Sequence, residues 1–401
     1  MALAQVVLLP KKARPFYGRH PWVFPGAISH VEGDPKDGDE VLLVAHGGQA
    51  IARGFYNSQS KLRVRLYSWE TEQPIERAFF HTRIADAVRL RENLGLMDPE
   101  GACRILNSEG DGISGLTVDR FGQWLTVQIT SLGLARRKDM LVECLLDILH
   151  PRGIYLRTEK GVGQLEGIDL RDGPVWGEEP TGPIRIKEAG LEIFVHLTEG
   201  QKTGYYLDQR DNRQFVARLA KGRTVLDAFC YSGGFGLHAA KALAKSVVGL
   251  DQSEGALELA RKNASHNGFN IEFHKAEVFS ELAKRKEAGE KYGMVILDPP
   301  KFARSRGSVD DALSGYRRLQ TLGMELLEPD GFLVLCCCSG LISMEQIEEI
   351  VHQVATTLKR DVQILGRTGA APDHPISVTC PESGYLKCLT MRVLDKINKI
   401  G

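Results

Sequence analysis

The fold of this 401-residue chain is decided by Val225-Leu226-Asp227-Ala228-Phe229-Cys230-Tyr231-Ser232-Gly233-Gly234-Phe235-Gly236. The apolar start of this stretch predicts a buried strand, and the glycines after it predict a turn that opens a helix. Glycine lets the backbone approach a ligand closely, and open α/β sheets bind ligands at the carboxyl ends of their strands. We therefore predict a ligand site at this turn.

Strands and helices alternate after Thr224, which predicts a parallel sheet with crossover helices. Strands are predicted at 224–229, 247–250, 271–274, 294–297 and 332–337, and a final pair near 362–365 and 385–392 completes the sheet. The helix between the second and third strands is predicted to run to Asn267 and to be capped by Ser253. Residues 191–401 are therefore assigned to an α/β domain of the Rossmann-like type.

Two further domains are predicted ahead of this one. Residues 1–72 hold short alternating apolar segments separated by glycine and proline turns, which is the pattern of a small β-barrel. Residues 73–190 mix helical and strand patterns and are assigned to an α+β middle domain. Within it, the Pro/Gly-rich patch from Gly173 to Pro183 lacks periodicity and is predicted to be a loop.

The composition excludes several classes of protein. Hydrophobic residues are 43% and charged residues 25%, an ordinary globular balance that fits neither disorder nor a fibrous repeat. The longest apolar run lies near 332–338 and is far shorter than the ~18 residues that cross a bilayer. The start of the chain lacks a signal-peptide pattern. We therefore predict a soluble cytoplasmic protein with no membrane partner.

The cysteines agree with that location. Eight cysteines, three of them consecutive at 336–338, do not suggest a disulfide framework, because neighbours in a strand point to opposite faces. The sequence has no Cys-x-x-Cys or Cys/His zinc spacing, so no metal is predicted. Free thiols in a reducing compartment are the simplest interpretation.

Local charge is more informative than net charge, since basic and acidic residues both number 51. Acids are absent from Met1 to Val31 and again from Val41 to Trp69. The basic residues are Lys11, Lys12, Arg14 and Arg19 in the first stretch and Arg53, Lys61, Arg63 and Arg65 in the second. Both stretches contain aromatic residues, and that mixture suits a phosphate backbone with stacked bases. An ordinary β-domain with a basic face is the equal alternative.

A second acid follows the next strand of the sheet. The run Val247–Leu250 ends in Asp251, whose carboxylate can accept both ribose hydroxyls of a nucleoside. The glycine turn lacks the G-x-G-x-x-G spacing that cradles a dinucleotide pyrophosphate, and the carboxylate of Asp227 would repel one. The same carboxylate attracts the ammonium end of S-adenosylmethionine, so charge favours this methyl donor over NAD.

The predicted cofactor site also takes an acid and an apolar wall from the third strand's end. It comprises Asp227, Phe229, Tyr231, Ser232, Gly233, Gly234, Asp251, Gln252, Glu277, Val278, Asp298 and Pro299. For Glu277, a solvated acid in a loop is an equal alternative.

The fourth strand delivers Asp298-Pro299-Pro300-Lys301-Phe302. Two prolines cannot continue a central strand, so the chain leaves the sheet here with a fixed, extended geometry. An acid followed by two prolines indicates methyl transfer to nitrogen or carbon of a planar base. In amine methylation an aromatic residue usually follows the second proline; here Lys301 holds that place, which weakens the amine interpretation.

The fifth strand ends in Cys336-Cys337-Cys338-Ser339-Gly340. Cys338 lies closest to the carboxyl end, and the two cysteines before it are predicted to be core residues. A thiolate that attacks carbon 6 of a pyrimidine makes carbon 5 nucleophilic enough to take a methyl group. Asp298 can donate a proton to ring N3 if its carboxyl group is neutral. We predict Cys338 and Asp298 as the catalytic pair, and the base that removes the carbon-5 proton is not identified.

These motifs resemble the bacterial ribosomal RNA large subunit methyltransferase I family over nearly the whole chain. The matching segments are Arg19-His20-Pro21-Trp22-Val23-Phe24, Asp119-Arg120-Phe121-Gly122, 202–211, 231–235, 298–302, 338–340 and Asp373-His374-Pro375. The string at 202–211 is highly specific, whereas many methyltransferases share the glycine turn. Glu277 departs from the family, which commonly has aspartate at this position.

The resemblance implies a class I methyltransferase domain, a PUA-type RNA-binding domain, S-adenosylmethionine as cofactor, and methylation of a cytosine at carbon 5 in large-subunit ribosomal RNA. It implies that Cys338 is the nucleophile and that the segment from Tyr205 to Arg210 closes over the methyl donor, with Tyr206, Asp208 and Arg210 as cofactor-binding residues. Contacts with RNA are predicted for Arg14, Arg19, Lys301, Phe302 and His374, although a lone histidine is more often structural.

Three rival functions stay open on the sequence. One is methylation of an exocyclic amine of RNA, guanine N2 or adenine N6, without a covalent step. Another is a catalytically idle RNA-binding factor in ribosome assembly, and the third is a nicotinamide-dependent dehydrogenase. The sequence does not determine the exact nucleotide that is methylated, or whether the substrate is free RNA or the assembled subunit. It also does not determine the oligomeric state, for which a homodimer is one option.

Overall fold

The computed structural model describes residues 3–159, 161–198, 204–303 and 305–396. The chain divides into two compact units. The first holds the chain up to Ile186 together with Val195–Leu207 and Pro372–Ser383. The second holds Lys187–Phe194, Asp208–Ala371 and the chain from Gly384 onward. The division into domains at 72/73 and 190/191 stays a prediction.

The first unit begins with a six-stranded sheet around its own core. Its elements are β1 (Ala4–Leu8), α1 (Arg14–Tyr17), β2 (Trp22–Val23), β3 (Ile28–Glu32), β4 (Glu40–Val44), β5 (Ala50–Tyr56) and β6 (Val64–Ser68). The strand order is β2-β6-β5-β4-β1-β3, and β1 and β4 are parallel. Alternate residues such as Val6, Leu43 and Val64 are fully buried, because a strand's successive side chains face opposite sides.

A second sheet follows in the same unit and packs against helices. Its elements are α2 (Arg77–Asn93), β7 (Ala102–Asn107), β8 (Leu116–Phe121), β9 (Trp124–Ile129), α3 (Leu132–Ala135), α4 (Lys138–Leu149), β10 (Gly153–Arg157), α5 (Val162–Glu166) and β11 (Gly173–Gly177). The strand order is β11-β10-β9-β8-β7. Apolar residues of α2 and α4 form one core with this sheet, and Phe55 and Tyr67 of the first sheet join that core.

The loop predicted from Gly173 to Pro183 is wrong for its first five residues. These residues form β11, which pairs antiparallel with β10 and lies at the edge of the sheet. An edge strand tolerates a proline, because the position without an N–H group can face away from the partner strand. Pro174 is therefore compatible with a strand that the composition had hidden.

A two-stranded sheet, β12 (Ile184–Glu188) and β13 (Leu191–Val195), precedes the large sheet of the second unit. The elements that follow are α6 (Arg210–Ala217), β14 (Thr224–Ala228), α7 (Gly234–Lys241), β15 (Ser246–Asp251), α8 (Glu254–His266), β16 (Glu272–Lys275), α9 (Val278–Glu287), β17 (Tyr292–Leu297), α10 (Val309–Glu325), β18 (Leu327–Cys337), α11 (Met344–Leu358), β19 (Arg360–Thr368) and β20 (Lys387–Lys396). Short 3-10 turns lie at Pro25–Ala27, Ser108–Asp111, Leu207–Gln209, Arg306–Ser308 and Pro381–Ser383.

The seven-stranded sheet has the order β16-β15-β14-β17-β18-β20-β19. The first five strands in this order are parallel, and β20 is antiparallel to both of its neighbours. β17 is buried at every position, as expected for a central strand with helices on both faces. The predicted cap of α8 is confirmed, since the Ser253 side chain accepts a hydrogen bond from the Ala256 N–H.

The helices in the described part of the chain are all too short or too polar to cross a membrane. The predicted fold class is confirmed: a Rossmann-like α/β sheet follows a small β domain and an α+β region. Parallel topology places the carboxyl ends of β14, β15, β17 and β18 along one edge of the large sheet, and that edge positions the site.

Candidate active site

The glycine turn after β14 has an unusual backbone. Phe229 and Tyr231 have positive φ angles of 64° and 50°, and Gly233 has a φ of 84°. Residues other than glycine pay a cost for this conformation, and such residues cluster at ligand sites. A Cβ atom added to Gly233 would lie 3.3 Å from the Phe273 ring, so the turn also packs closely on its neighbour. The turn therefore has a fixed backbone conformation of the kind that occurs at ligand sites.

Asp251 fastens this turn to the next strand. Its carboxylate oxygens accept hydrogen bonds from the Tyr231 N–H and the Ser253 N–H, both at 2.9 Å. Each oxygen retains a second lone pair, so the same carboxylate can also accept ribose hydroxyls. Gln252 beside it is exposed. The predicted acid at the end of the second strand thus lies against the glycine turn.

Asp227 is a buried carboxyl group at the base of the turn. One oxygen accepts a hydrogen bond from the Gly236 N–H at 2.8 Å, and the other has no donor among the described residues. Burial, with the charges of Asp298 and Asp251, raises the pKa of Asp227 to about 7. Because this pKa is higher in the folded chain than in the unfolded one, the free energy of unfolding falls as the pH rises from about 4 to 7.

An unpartnered, buried carboxyl oxygen beside a glycine turn fits the cationic ammonium group of S-adenosylmethionine. Burial makes the lone carboxylate costly, and a bound cation removes that cost. The Asp251 carboxylate fits the ribose of the same ligand. The residues of this structure therefore fit the predicted cofactor.

Cofactor affinity is expected to depend on pH through Asp227. Protonation removes the charge that the ammonium group needs, so S-adenosylhomocysteine should bind about tenfold or more weakly at pH 5.5 than at pH 7.5. The Asp227→Asn variant should bind weakly at both pH values and lack this dependence. Calorimetric titration of both proteins over this range is the measurement, and parallel pH profiles would contradict the assignment.

The loop after β17 brings Asp298 to the same edge of the sheet. Its backbone N–H reaches the Ala228 carbonyl at 3.4 Å, and its side chain accepts a hydrogen bond from Gln209 Nε2 at 3.1 Å. Pro299 is buried and Lys301 is exposed. The Asp298 carboxyl group is half-buried and anchored by an amide, which is a suitable setting for a group that exchanges a proton with a base.

Phe302 packs inside this loop. Its ring contacts Tyr316 with centroids 4.8 Å apart and Phe279 with centroids 6.1 Å apart. It is half-buried, so its predicted contact with RNA stays a prediction.

Cys338 follows β18 and is half-buried, whereas the other seven cysteines are buried. Its Sγ lies 3.8 Å from the Pro299 carbonyl oxygen in the Asp298 loop. Cys336 pairs in register with Cys388 of β20, and Cys337 is also in the core. The structure thus distinguishes Cys338 from its two neighbours and brings it to the loop that carries Asp298.

Glu277 has a structural explanation. Its carboxylate accepts hydrogen bonds from the Phe279 and Ser280 N–H groups and so caps α9. These hydrogen bonds, led by the one from the Ser280 hydroxyl, lower the pKa of Glu277. Val278 next to it is buried. The contacts predicted between these two residues and the adenine stay predictions.

The residues of the segment predicted to close over the methyl donor differ in burial and in contacts. Asp208 accepts a hydrogen bond from the Tyr385 hydroxyl at 2.6 Å, and its carbonyl oxygen accepts one from the Ala371 N–H at 2.9 Å. Arg210 is buried and lies 3.3 Å from the Asp211 carboxylate. Tyr206 is half-buried. Residues 202 and 203 of the same string lie outside the described residues, and the closing role stays a prediction.

Sequence reasoning missed two residues that support the site. Asn263 of α8 is fully buried; its amide donates to the Ser232 carbonyl at 3.3 Å and accepts from the Phe194 N–H at 2.7 Å. Gln209 holds Asp298. An asparagine on the inner face of an amphipathic helix was the available signal for Asn263, since a buried amide needs hydrogen-bond partners.

The first basic stretch forms an exposed surface on the first unit. Lys11, Lys12, Arg14, Tyr17 and Arg19 are exposed, with the Tyr17 side chain half accessible. Two of the four basic residues of the second stretch do not fit the predicted RNA contact. Arg53 pairs with Glu40 at 2.9 Å, and Arg65 is buried and pairs with Glu166 at 3.4 Å.

The predicted RNA contact of His374 is wrong. The residue is 4% exposed, and its Nδ1 lies 2.9 Å from the Asp373 carboxylate. Asp373 is fully buried, and its carbonyl oxygen accepts a hydrogen bond from Arg91 at 2.6 Å. This pair is part of a buried polar network in the first unit, which satisfies polar groups inside the fold.

One group of metal-ligand residue types lies in the first unit, formed by His20, Cys380 and Glu382. His20 Nδ1 accepts the Trp22 N–H at 3.2 Å, so the neutral ring carries its proton on Nε2, which faces Glu382 at 3.4 Å. A metal would need that nitrogen unprotonated. Burial also raises the pKa of Cys380 to about 12, so the group fits a hydrogen-bonded contact better than a metal centre.

Family profiles match both ends of the chain. The profile described as S-adenosylmethionine-dependent methyltransferase matches residues 174–389, and the PUA-like domain profile matches residues 6–69. Fold, site and profiles define the class: an S-adenosylmethionine-dependent methyltransferase with a PUA-like domain.

Full-length relatives define the family. Ribosomal RNA large subunit methyltransferase I of Aeromonas hydrophila is 39% identical over 395 residues, which cover 97% of this chain and 99% of that protein. The protein of the same name from Photobacterium profundum is 40% identical over 387 residues, 95% of this chain and 97% of that protein. The chain belongs to the ribosomal RNA large subunit methyltransferase I family.

Solved structures share the fold. A putative methyltransferase from Streptococcus mutans superposes with a TM-score of 0.83 at 19% identity, covering 97% of this chain and 99% of that chain. A putative methyltransferase complexed with SAH gives a TM-score of 0.84 at 20% identity, with the same coverage. The predicted family, fold and cofactor are thereby confirmed.

Proposed function

We propose that this protein methylates carbon 5 of a cytosine in large-subunit ribosomal RNA through a covalent bond between Cys338 and carbon 6 of the base. The observation that carries the proposal is the position of Cys338. It is half-buried where the other seven cysteines are buried, and its Sγ lies 3.8 Å from a carbonyl of the Asp298 loop. A half-exposed thiol at the carboxyl edge of this sheet is placed for nucleophilic chemistry.

The reaction begins when the Cys338 thiol gives its proton to solvent and the thiolate forms a bond to carbon 6. The electrons of the 5,6 double bond then make carbon 5 nucleophilic. Bound S-adenosylmethionine supplies the methyl group as an electrophile on a sulfonium. A base then removes the carbon-5 proton, the double bond re-forms, and the bond between sulfur and carbon 6 breaks to release the thiolate.

Asp298 is assigned the proton transfer at ring N3: it gives N3 a proton as the thiolate attacks and takes that proton back when the bond between sulfur and carbon 6 breaks. A proton at N3 draws electron density from carbon 6 and so assists the thiolate attack. The Gln209 amide donates a hydrogen bond to one Asp298 oxygen and so helps to fix the position of the carboxyl group. Asp227, Asp251 and the turn between them hold the cofactor.

The choice of ribosomal RNA rests on the names of the relatives and on the basic surface of Lys11, Lys12, Arg14 and Arg19. Among the described residues, these four side chains have no ion-pair partner, so their charge is available to phosphates. An enzyme that acts on a base edge needs that base unpaired or flipped out of its helix. We therefore propose that the first unit holds the surrounding strand.

RNA affinity is expected to fall when Lys11, Lys12 and Arg14 are replaced together by alanine. Each phosphate contact that is lost lowers the slope of log affinity against log salt by about 0.7 to 0.9, so the triple variant should lose about two units of slope. Filter binding at several salt concentrations measures this. Deleting residues 1–70 is a poorer test, because Phe55 and Tyr67 belong to the core of the second sheet.

The control for this experiment replaces three exposed lysines of the second unit, Lys221, Lys245 and Lys284, by alanine. It makes the same change in net charge, and its slope should match the wild type. Equal slopes of log affinity against log salt for the wild type and both triple variants would contradict the proposed RNA-binding surface.

The proposed product is tested by nucleoside analysis. Large-subunit ribosomal RNA from cells lacking the gene is incubated with the purified protein and labelled S-adenosylmethionine, then digested and separated. The expected labelled nucleoside is 5-methylcytidine. Label in an N-methylated purine would favour the amine methyltransferase instead, and no label in RNA that the protein binds would favour an idle assembly factor.

A further inference from the structure

Lys387, the first residue of β20, lies beside the proposed nucleophile. Its Cα is paired in register with that of Cys337, the residue before Cys338. Its Nζ donates to the Ser339 carbonyl, the residue after Cys338, at 2.8 Å, and approaches the Tyr385 carbonyl at 3.4 Å. The ammonium group is thus held against the backbone carbonyl of the residue that follows Cys338.

The surroundings of Cys338 contain groups from several elements. Asp298 and Pro299 come from the loop after β17, Tyr316 from α10, and Lys387 from β20. Glu345 of α11 lies within the electrostatic range of Lys387 rather than beside the thiol. Glu345 brings negative charge, as does Asp298 when it is ionised, Tyr316 is neutral, and Lys387 supplies positive charge to this set.

We infer that Lys387 is a positioning residue that stabilises the thiolate of Cys338 and thereby sets the pH at which the nucleophile forms. The inference deepens the proposed function and rests on it. Its basis is the position of the ammonium group, which donates a hydrogen bond to the Ser339 carbonyl oxygen, one residue after the reacting cysteine. A cation near a thiol favours the charged form of that thiol.

The need for such a group follows from the other contacts of the sulfur. The Pro299 carbonyl oxygen can only accept a hydrogen bond, so it favours the protonated thiol. Asp298, when ionised, disfavours a second negative charge nearby. Burial lowers the pKa of Lys387, whereas the Cys337 and Cys338 sulfurs raise it, so formation of the thiolate and retention of the ammonium charge support each other.

The test is alkylation of Cys338 by iodoacetamide as a function of pH. The other seven cysteines are buried, and peptide mass mapping separates their label from that of Cys338. In Lys387→Met the midpoint of the alkylation profile should rise by about one pH unit. Alkylation at pH 7.5 and kcat/KM for RNA should both fall by about tenfold. Lys387→Arg, which keeps the charge, should retain a midpoint near that of the wild type.

Lys291 offers a matched control. Its Nζ also donates to a backbone carbonyl of the second unit, that of Glu325 at 2.5 Å, and it precedes β17 at the opposite end of that strand from Asp298. Lys291→Met removes the same kind of hydrogen bond and the same charge away from any cysteine. Its alkylation midpoint should equal that of the wild type.

Binding of S-adenosylhomocysteine verifies that each variant is folded. If Lys387→Met loses this binding, the comparison is made with Lys387→Gln in its place. Loss of activity with an unchanged alkylation midpoint overturns the inference, because a purely structural role would act in that way. Alkylation involves no RNA, so a product other than 5-methylcytidine would overturn the proposed function while leaving the midpoint shift intact.

Discussion

Replacing Cys338 with alanine should reduce methyl transfer to RNA by about a thousandfold or more, because the covalent route then lacks its nucleophile. The substitution removes one sulfur from a half-buried position, so binding of S-adenosylhomocysteine and thermal stability should change little. Transfer of labelled methyl groups to RNA measures the loss. Retention of more than about a tenth of the activity would contradict the covalent mechanism and favour amine methylation.

Cys337→Ala is the matched control for this substitution. Cys337 adjoins the nucleophile in sequence but is 1% exposed and packs in the core of the large sheet. Its replacement should lower the free energy of unfolding by about 1 kcal/mol through the small cavity it leaves, with activity retained in the folded protein. Comparison of the two variants would then distinguish the effect of lost packing on stability from the effect of a lost nucleophile on activity.

The covalent bond itself can be trapped. In RNA whose target cytosine carries fluorine at carbon 5, no proton is available for removal, so the bond from sulfur to carbon 6 should persist. A denaturing gel should show a protein–RNA adduct with the wild type and none with Cys338→Ala. Absence of the adduct with an active wild-type enzyme would contradict the mechanism.

Asp298→Asn should reduce kcat by about a hundredfold to ten-thousandfold, the usual effect of removing a group that transfers a proton. The amide keeps the shape of the side chain, and Asp227 and Asp251, the carboxylates proposed to bind the cofactor, stay in place. Affinity for S-adenosylhomocysteine should therefore stay within a few-fold of the wild type. Single-turnover methylation under saturating RNA measures the loss.

The control for Asp298→Asn is Asp310→Asn, an exposed acid in the first turn of α10. It should leave kcat unchanged. A loss of less than about threefold in Asp298→Asn would assign that carboxyl group to cofactor binding or to loop structure and exclude it from the proton transfer.

The central parallel strands of the large sheet were predictable from the sequence. Such strands are buried on both faces, so they appear in sequence as continuous apolar runs, as at β14, β15 and β17. The edge strand β11 was missed for the opposite reason. It has little apolar content, and it is a strand because it pairs with β10. That pairing cannot be predicted from the residues of β11 alone.

Charge was the least reliable guide on the first unit. The exposed lysines and arginines near the start of the chain fit the prediction, but Arg53 and Arg65 pair with acids that lie elsewhere in the sequence. A run without acids therefore does not establish a free basic surface. His374 failed in a similar way, since its burial depends on residues such as Arg91 that are distant in the chain.

The order of chemical groups along the reacting edge follows from the sequence alone: Asp227 lies in β14 just before the glycine turn, Asp251 ends β15, and Asp298 and Cys338 follow β17 and β18. Parallel topology then gathers these groups, because all of the strands end on the same side of the sheet. The protonation state and orientation of each group depend on its three-dimensional surroundings. The burial of Asp227, the amide of Gln209 on Asp298 and the ammonium of Lys387 beside Cys338 come from through-space contacts between distant segments, and protonation depends on such contacts.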